Sequence, residues 1–338
     1  MSKTTGVLIV THNSAAWIAP CLERVRQYAT KFHTFDNFSV DDSARLARSC
    51  PGGTVTESER NLGFAGGVNR GARILGTDRI LVLNPDVLLE TPVDALDAAL
   101  DEPGVGAVAG LLVDSHGRPQ TGFSVRRFPS AWTLAFEALG LNRLWPSNPV
   151  NRRYRCADVD LRNEIDVEQP AGAFVMFRRE AFEELGGWDE QFHPVWFEDV
   201  DFFMRLRNAG WKVRFVPSVR ATHGGGHSVG ALDAASRRSY WYGSLLRYSA
   251  KHLGPLRTRF VAGAVILGVA GRLLHQKVTG QGAGQGLSGE YDTVIRLALG
   301  ALQRGRIGVA VNPEVAGVAV HDVEEANKGL RTRHLHGL

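Results

Sequence analysis

Three carboxylates lie within four positions of the segment FEDVDFF, residues 197–203: Glu198, Asp199 and Asp201. The same segment carries three aromatic side chains, those of Phe197, Phe202 and Phe203. Repulsion between neighbouring acids and desolvation by aromatic groups both raise a carboxyl pKa. A carboxylate with a raised pKa can accept a proton near neutral pH, which makes the segment a candidate for general base catalysis. The alternative is an ordinary acid-rich helix start, since carboxylates favour the positive end of the helix dipole.

A further acid follows a predicted buried strand. Asn84, Pro85 and Asp86 come directly after the apolar residues 79–83. A carboxylate at a strand end can bind Mg²⁺ or Mn²⁺, which prefer oxygen ligands beside a phosphate-bearing substrate. By itself, an Asn-Pro-Asp sequence is more often a simple turn.

Two histidines, His223 and His227, flank three glycines. Imidazole is an acceptable ligand for Mn²⁺, although a carboxylate suits this ion better. The glycines disfavour a helix, so the segment is predicted to be a loop. A purely structural role for either histidine remains the alternative.

Residues 61–71, NLGFAGGVNRG, form a glycine-rich run. Their spacing is not that of a dinucleotide-binding fingerprint, and no P-loop lysine follows. One interpretation is that backbone and a following helix N-terminus approach a ligand closely. The other is tight packing of a helix against a sheet.

Strands alternate with helices along much of the chain. Apolar runs predict strands at residues 6–10, 32–35, 79–83, 105–112, 171–177 and 211–216, and helices at residues 15–29, 179–185 and 291–303. This alternation indicates a parallel α/β sheet with right-handed crossovers, which binds ligands at the carboxyl ends of its strands. Residues 115–168 are rich in Arg, Pro and Asn and are predicted to form a long irregular excursion.

Composition excludes several classes of protein. The chain has 338 residues and a formal net charge of +4, too small to indicate nucleic-acid binding. Its three cysteines are widely spaced without a CxxC pair, which argues against disulfides or zinc and suits a reducing cytoplasm. The N-terminal apolar run is too short for a secretory signal, and no stretch reaches the roughly 20 apolar residues of a membrane span.

Residues 237–277 contain eight Lys or Arg residues and no Asp or Glu. Four aromatic residues are interspersed with them: Tyr240, Trp241, Tyr242 and Tyr248. Basic residues mixed with Tyr and Trp are typical of a surface that lies on anionic lipid headgroups. A solvated helical face, or a patch that holds a phosphate, is the alternative.

Taken together, these segments resemble a family 2 glycosyltransferase of the GT-A fold, and within it the bacterial rhamnosyltransferase-like group that builds cell-surface polysaccharides. The resemblance covers about residues 7–253 and rests on the ordered motifs VTHNS, DNFSVDDS, ERNLGFAGGVNRG, LNPDV, PAGAFVMFRREAFEELGGWDEQF and FEDVDFFMRLRNAGW, followed by His223. It implies a Rossmann-like mixed α/β sheet with a C-terminal helical extension. The expected units are a glycosyltransferase domain (1–235), a basic aromatic helical extension (236–279), a glycine-rich linker (280–289), and a C-terminal helix and tail (290–338).

The resemblance also implies a role for individual residues. The donor would contact Thr11, His12, Asn13, Asp36, Arg60, Asn61, Asn84 and Asp86. The acceptor would contact Gly172, Ala173, Trp188, Asp189 and Glu198. Asp199 matches the catalytic base, Asp86 and His223 match ligands of Mg²⁺ or Mn²⁺, and Asp201 is expected to cap the helix.

Three positions depart from the family pattern. His12 stands where an aromatic residue is common, and Asp42 crowds a loop that often has glycine. Asn84 replaces the first acid of the DxD motif, which leaves one carboxylate and therefore a metal site that is weaker or more dependent on the substrate.

The implied activity is an inverting, metal-dependent transfer of a sugar to a hydroxyl of a glycan or polyprenyl-linked acceptor. L-rhamnose from dTDP-L-rhamnose is the expected donor group, with UDP-hexoses next. An anionic membrane surface, on the inner face of the plasma membrane, and a second copy in a homodimer are further possible partners. The alternatives are a non-catalytic sugar-nucleotide-binding protein and a sugar-phosphate nucleotidyltransferase. The second usually has a GxGTR-like loop where this chain has THNS.

Overall fold

A mixed β-sheet with helices on both faces forms the centre of the computed structural model, which describes residues 3–225, 232–279 and 289–307. Its strands are β1 (Thr5–Thr11), β2 (Phe32–Asp36), β3 (Gly53–Glu57), β4 (Arg79–Leu83), β5 (Val87–Leu89), β6 (Val105–Val113), β7 (Val125–Arg126), β8 (Ile165–Asp166), β9 (Gln169–Pro170), β10 (Phe174–Arg178) and β11 (Lys212–His223). Its helices are α1 (Ala15–Tyr28), α2 (Ser43–Ser49), α3 (Gly63–Leu75), α4 (Asp94–Asp101), α5 (Ala131–Ala138), α6 (Leu141–Leu144), α7 (Pro149–Tyr154), α8 (Arg179–Glu184), α9 (Glu198–Asn208), α10 (Ala234–His252), α11 (Pro255–Thr279) and α12 (Gly289–Arg304).

The main sheet runs in the order β3-β2-β1-β4-β10-β6-β11-β5, with β8 paired to β11. The first four strands are parallel, and their register sets Thr11 beside Asp36 and Ile9 beside Leu83. Strand β10 is antiparallel to both β4 and β6. The carboxyl ends of β1, β2 and β4 therefore meet at one edge, where an open α/β sheet binds ligands.

Both faces of the sheet are buried, which explains why its central strands are continuous apolar runs rather than alternating ones. Val7 and Ile9 pack with α1, α2 and α4 on one face, whereas Leu8 and Val10 pack with α3, α8 and α9 on the other. Burial of that much apolar surface supplies most of the stabilisation of the central domain.

The glycine-rich run packs tightly in its helical part. A Cβ on Gly67 would lie 2.6 Å from Val10 Cγ1, and one on Gly71 would lie 2.3 Å from Leu8 Cδ1. Two of the glycines therefore let α3 approach the sheet closely. At its start, Asn61 and Phe64 line a cavity, and the interpretation that this part of the run approaches a ligand stays a prediction.

The expectation of an irregular excursion at residues 115–168 is wrong. This segment contains α5, α6 and α7 and the short strands β7 and β8. Ser130 caps α5, as its side chain accepts a hydrogen bond from the backbone of Thr133, and Asn148 caps α7 directly before Pro149. These capping signals are visible in the sequence, but the helices are too short to show an apolar period.

Several other elements are absent from the prediction: α2, α4, β3 and β5. Strand β11 also continues beyond the predicted end at residue 216, through a register irregularity between Val216 and Arg220. Pro217 lies within this irregularity, in keeping with the preference of proline for bulged positions.

Helices α10, α11 and α12 form a layer that shares one apolar cluster with α5 and α9. By length and composition alone, α11 is apolar enough to cross a membrane, with a mean hydropathy of 1.3 in its most apolar window. This finding revises the expectation that no stretch is long enough, although 39% of that window is buried against protein. Residues 280–288 of the linker predicted at 280–289, and residues 308–338 of the predicted C-terminal helix and tail, lie outside the described residues.

Candidate active site

A cavity of about 530 Å³ opens at the carboxyl ends of β1 and β4, beneath α5, the start of α9 and α10. Nine of the residues assigned from the sequence line it: His12, Asn61, Asn84, Asp86, Gly172, Ala173, Glu198, Asp199 and His223. The acid proposed to bind a metal and the acid proposed to accept a proton therefore share one cavity.

Helix α9 brings its acids to this cavity through an unusual entry. Trp196 and Phe197 have φ angles of 78° and 68°, in the left-handed region that bulky side chains seldom adopt. Backbone held in such a conformation often marks a functional site, where the surrounding packing offsets the strain. The turn directs Glu198 and Asp199 from the first turn of α9 into the cavity.

Asp199 is held by two backbone hydrogen bonds. Its Oδ2 accepts from the Gly172 N–H at 3.1 Å, and its Oδ1 accepts from the Val200 N–H at 2.7 Å. Burial raises the pKa of Asp199 above its ordinary value, against the opposing effects of the Gly172 hydrogen bond and the charge of Arg126. The result is a fixed carboxylate that is more basic than usual.

Glu198 has a different environment, although it adjoins Asp199. It is buried, and among the described residues its Oε2 has no hydrogen-bond partner. Burial, and then the charge of Asp199, raises its pKa well above the ordinary value. Because two adjacent buried carboxyls do not ionise together easily, the site favours the protonated form of Glu198 more strongly than that of Asp199.

Asp201 does not cap the helix as expected. Its side chain points away from the cavity and bonds to Arg205 Nε at 2.8 Å, Lys251 Nζ at 2.7 Å and His252 Nε2 at 2.7 Å. Burial would raise the pKa of Asp201, but the hydrogen bonds from His252 and Lys251 and the charge of Arg205 outweigh it and hold the pKa below its ordinary value. Asp201 thus joins α9 to α10.

Asp86 and His223 form the candidate cation site. Their side chains are buried, with His223 Nε2 3.7 Å from Asp86 Oδ2. Nδ1 of His223 lies 3.0 Å from Gln120 Oε1, an acceptor, so this nitrogen carries the hydrogen and Nε2 is the nitrogen suited to a metal. Phe123 stacks on the His223 ring, which fixes its plane. His227 lies outside the described residues.

The described residues contain no cluster of three or more His, Cys, Asp or Glu side chains that could hold a metal. The pair still fits a cation that takes its remaining ligands from a phosphate-bearing substrate and water. The buried Oδ1 of Asn84, which has no partner among the described residues, is a further oxygen at this site.

A second set of polar groups lies where β1 and β2 end. Asp36 Oδ2 accepts from the Ser39 N–H, whereas Asp36 Oδ1 and Thr11 Oγ1 are buried without partners in the described structure. Nearby, the Asn61 side chain bonds to that of Asn37 at 3.0 Å. Buried polar atoms seldom lack partners, so these atoms are candidates for ligand contacts.

Other assigned residues lie outside the cavity lining. Trp188 is a core residue whose ring packs against Phe64 and Phe202, and Asp189 forms an ion pair with Lys251. Asn13 accepts a hydrogen bond from the backbone of Val40, and Arg60 is exposed. Thr11 and Asp36 are buried just behind the lining. Trp188 and Asp189, which were expected to contact the acceptor, are thus not among the residues that line the cavity.

Some cavity residues were not assigned from the sequence. Arg126, Tyr154 and Arg155 form one wall, and Trp196, Tyr240 and Trp241 lie in another. The Arg126 guanidinium lies over the rings of Phe123 and Tyr154, at 5.2 and 5.9 Å from their centroids. In the sequence, the local excess of arginine is the signal that could have identified the first of these walls.

Comparison with known proteins identifies the family. A family model described as "Glycosyl transferase family 2" matches residues 6–186, and one described as "Glycosyl transferase family group 2" matches residues 163–282. N-acetylglucosaminyl-diphospho-decaprenol L-rhamnosyltransferase of Mycobacterium tuberculosis is 32% identical over 254 residues, which cover 67% of this chain and 81% of that protein. Rhamnosyltransferase WbbL of Escherichia coli is 25% identical over 260 residues, covering 72% and 92% of the two chains.

Among solved structures, a mannosyltransferase from Pyrobaculum calidifontis in complex with GDP-Man and Mn²⁺ aligns with a TM-score of 0.51 and 16% identity, over 90% of this chain and 88% of that one. GalNAc-T7 with UDP, GalNAc and Mn²⁺ aligns with a TM-score of 0.50 and 16% identity, over 74% and 50% of the two chains. These likenesses confirm the predicted GT-A fold. On the family models and the relatives together, the chain is a glycosyltransferase that belongs to glycosyl transferase family 2, among its rhamnosyltransferase-like members.

Proposed function

We propose that this glycosyltransferase moves L-rhamnose from dTDP-L-rhamnose to a hydroxyl of a lipid-linked sugar, with inversion and with a divalent cation, in polysaccharide synthesis. The observation that carries the proposal is the shared cavity in which Asp86 and Asp199 both lie. The rhamnosyltransferase names of two relatives favour the sugar.

The nucleotide would bind where β1 and β2 end. Asp36 Oδ1 and Thr11 Oγ1 are the buried acceptors there, and the Asp36 carboxylate suits the N–H of a pyrimidine base. His12 and Asn61 line the adjoining part of the cavity. The donor would then extend along the strand ends toward Asn84 and Asp86.

Asp86 and His223, helped by the Asn84 side chain, would hold Mg²⁺ or Mn²⁺ beside the donor diphosphate. When bound, the cation stabilises the charge that develops on the leaving diphosphate. Gly225 donates its N–H to Asp86 Oδ2 at 3.2 Å, which orients the carboxylate. The two solved neighbours contain Mn²⁺, in line with this choice.

Asp199 is the general base of the proposed reaction. Its two backbone hydrogen bonds fix its position, and its raised pKa suits it to take the proton of the acceptor hydroxyl as that oxygen attacks. A single displacement with this base inverts the anomeric carbon. Glu198, in its protonated form, can donate a hydrogen bond to an acceptor oxygen.

The acceptor would enter along the wall formed by Arg126, Tyr154 and Arg155. Two guanidinium groups and a phenol suit an acceptor that carries phosphate, since arginine binds phosphate oxygens in a bidentate manner. The relative from M. tuberculosis is named for a diphospho-decaprenol substrate, which has this chemistry. Such an acceptor would lie at a bilayer surface, as the expected contact with an anionic membrane requires.

The test compares Asp199→Asn with Glu198→Gln in a transfer assay with dTDP-L-rhamnose and a lipid-linked acceptor. Loss of the base should lower kcat by about 10²–10⁴-fold. Gln mimics the protonated form of Glu198, so its kcat should stay within about tenfold of the original. NMR of the product should show an inverted anomeric carbon, and EDTA should stop transfer until Mg²⁺ or Mn²⁺ is added.

Near-normal turnover by a folded Asp199→Asn protein would reject the assignment of the base. Full activity in EDTA would remove the cation from the reaction. Thermal shift with a panel of nucleotide sugars identifies the donor independently, because a ligand that binds only the folded state raises Tm.

A further inference from the structure

An apolar stripe runs along the outer face of α11. Its large side chains are each 42–77% exposed: Leu256, Phe260, Leu267, Leu274 and Val278. Their spacing of 4, 7, 7 and 4 residues keeps them on one side of an α-helix, within about 40° of each other. The positions between them on this face, Gly263, Ala270 and Gly271, are also apolar. The stripe extends for about 33 Å at the usual helical rise.

Helix α5 and the turn after it widen this surface. Trp132 is 61% exposed, and its ring packs edge-on against Phe260 with centroids 4.8 Å apart. Further along, Arg272 donates a hydrogen bond to the carbonyl of Ala138, so α5 follows α11 for two turns. Three more exposed apolar side chains follow α5 along the chain, at its end and on the next helix, α6, which contacts α5: Leu139, Leu144 and Trp145. Monomeric soluble proteins rarely expose a continuous apolar surface of this kind.

Basic residues border the stripe at both ends, and acids are missing from the helix. Arg257 and Arg259 are exposed near the start of α11, and Lys277 is exposed near its end. Arg143 adds an exposed charge on α6. Helix α11 contains no Asp or Glu. An apolar centre between cationic ends is complementary to a bilayer whose surface is anionic.

This surface differs from the one expected from the sequence. The aromatic residues of α10 face inward: Tyr242 and Tyr248 are buried, and Trp241 packs against Trp196 and Phe197. These aromatic residues belong to the core and the cavity wall. The exposed apolar surface is therefore formed by α11 and α5.

We propose that the apolar stripe, with Trp132, Leu139, Leu144 and Trp145, lies flat on an anionic phospholipid bilayer. The opposite face of α11 buries Val261, Val265 and Val269 against α5, α10 and α12, so the helix rests in the interface rather than crossing it. A second copy of the chain is a poorer occupant. In a two-fold symmetric dimer, the stripes of two copies would pack against each other, either parallel or antiparallel. Both arrangements bring cationic ends of α11 together, and α11 has no acid to neutralise them.

Helix α5 connects this surface to the active site. Thr133, Leu134 and Glu137 on its inner side line the cavity, while Trp132 and Leu139 are exposed on its outer side. The bilayer would therefore lie about one helix diameter, roughly 10 Å, from the cavity. This last step rests on the proposed function, because it explains how a lipid-linked acceptor keeps its tail in the bilayer while its sugar reaches Asp199.

The experiment measures co-sedimentation of the full chain with vesicles, in the absence of donor and acceptor. One set contains phosphatidylglycerol and phosphatidylcholine, and the other phosphatidylcholine alone. The variant is Leu267→Glu with Leu274→Glu, at the centre of the stripe. The matched control is Ile74→Glu, since Ile74 is similarly exposed, at 51%, but lies on α3. All are exposed positions, so thermal unfolding should show little change.

The original chain and the Ile74→Glu control should bind anionic vesicles, more weakly in added salt, and the stripe variant should bind at least about tenfold less. The stripe variant should also lose transfer to a lipid-linked acceptor while it keeps transfer to a water-soluble analogue. Absence of vesicle binding by the original chain, or equal binding by variant and control, would overturn the proposal. So would a variant that converts a dimer to a monomer in light scattering without changing vesicle binding. Vesicle binding is measured without turnover, so its outcome is separate from that of the Asp199 test.

Discussion

Two neighbouring carboxyls have different environments in this cavity, because both oxygens of Asp199 accept backbone hydrogen bonds whereas one oxygen of Glu198 has no partner among the described residues. Backbone N–H groups of Gly172 and Val200 stabilise the charged form of Asp199. Glu198 Oε2 has no such donor among the described residues, and its pKa is raised further by the charge of Asp199. These environments favour Asp199 over Glu198 as the proposed base, although both residues are acids.

Gly172 fits closely against Asp199, the proposed base. A Cβ at this position would lie 2.9 Å from Asp199 Cβ and 3.0 Å from Trp188 Cη2, and the buried Trp188 ring cannot move aside easily. We expect Gly172→Ala to displace the Asp199 carboxylate and to lower kcat by about 10²-fold, the usual effect of misplacement by about 1 Å. Steady-state kinetics gives kcat, and thermal unfolding checks that the fold is retained.

Gly263→Ala is the matched control, because a Cβ at Gly263 meets no atom within 4 Å. It should leave kcat unchanged. If Gly172→Ala were as active as Gly263→Ala, the close fit of Gly172 would have no part in positioning the base.

At the scale of elements, helix α9, which carries the proposed base, is connected to the C-terminal layer by ionic contacts around one buried carboxylate. Asp201, which is fully buried, accepts hydrogen bonds from Arg205 on its own helix and from Lys251 and His252 on α10. Phe197 packs on Tyr248 beside it, with ring centroids 5.5 Å apart. The orientation of α9 in the cavity therefore depends on α10.

Removing this carboxylate should be costly. Asp201→Asn removes the buried charge that Arg205, Lys251 and His252 share, although Lys251 keeps its ion pair with Asp189; hydrogen bonds to a charged group typically contribute about 1.5–3 kcal/mol of folding free energy. Because the folded-state pKa of Asp201 lies below its unfolded value, its contribution is present above about pH 4 and is lost as the pH falls through the folded value. Urea unfolding of the original protein should therefore show stability falling below about pH 4, and Asp201→Asn should flatten that fall.

The exposed Asp160, which pairs with Arg162, provides a control for this prediction. Asp160→Asn should leave stability nearly unchanged, because exposed ion pairs contribute little. Equal stability of the Asp201 and Asp160 variants at neutral pH would show that the network does not hold α9 in place.

The sequence was most informative where a local signal marks a position in the cavity. Asp86 follows an apolar strand and Asp199 opens an acid-rich helix, so local patterns are enough to select both acids of the cavity as candidates. Arg126 and Trp241 reach the cavity only through the packing of short or distant elements, for which apolar periodicity gives no signal. The sequence motif of Trp188 gives no information on its burial against Phe202, because that burial depends on tertiary packing.

At the scale of the whole molecule, the C-terminal helices complete the catalytic unit. One apolar cluster joins Leu134 of α5 and Val200 of α9 to Leu245 of α10, Val265 of α11 and Val294 of α12. The sequence suggested a domain boundary after residue 235. This cluster contains residues from both sides of that boundary. A layer that shares its core with the cavity wall is expected to unfold together with it.

Val294→Asp tests this cooperation from the far side of the layer. Val294 is fully buried, and placing a carboxylate there should cost several kcal/mol. We expect differential scanning calorimetry to show one transition, shifted to lower temperature as a whole, with loss of transferase activity along the same curve. The neighbouring exposed Thr293→Asp should have little effect on either. Two resolved calorimetric transitions, with only the smaller one shifted by Val294→Asp, would instead identify the C-terminal helices as a separate domain. In that case, transferase activity would persist above the temperature of the first transition.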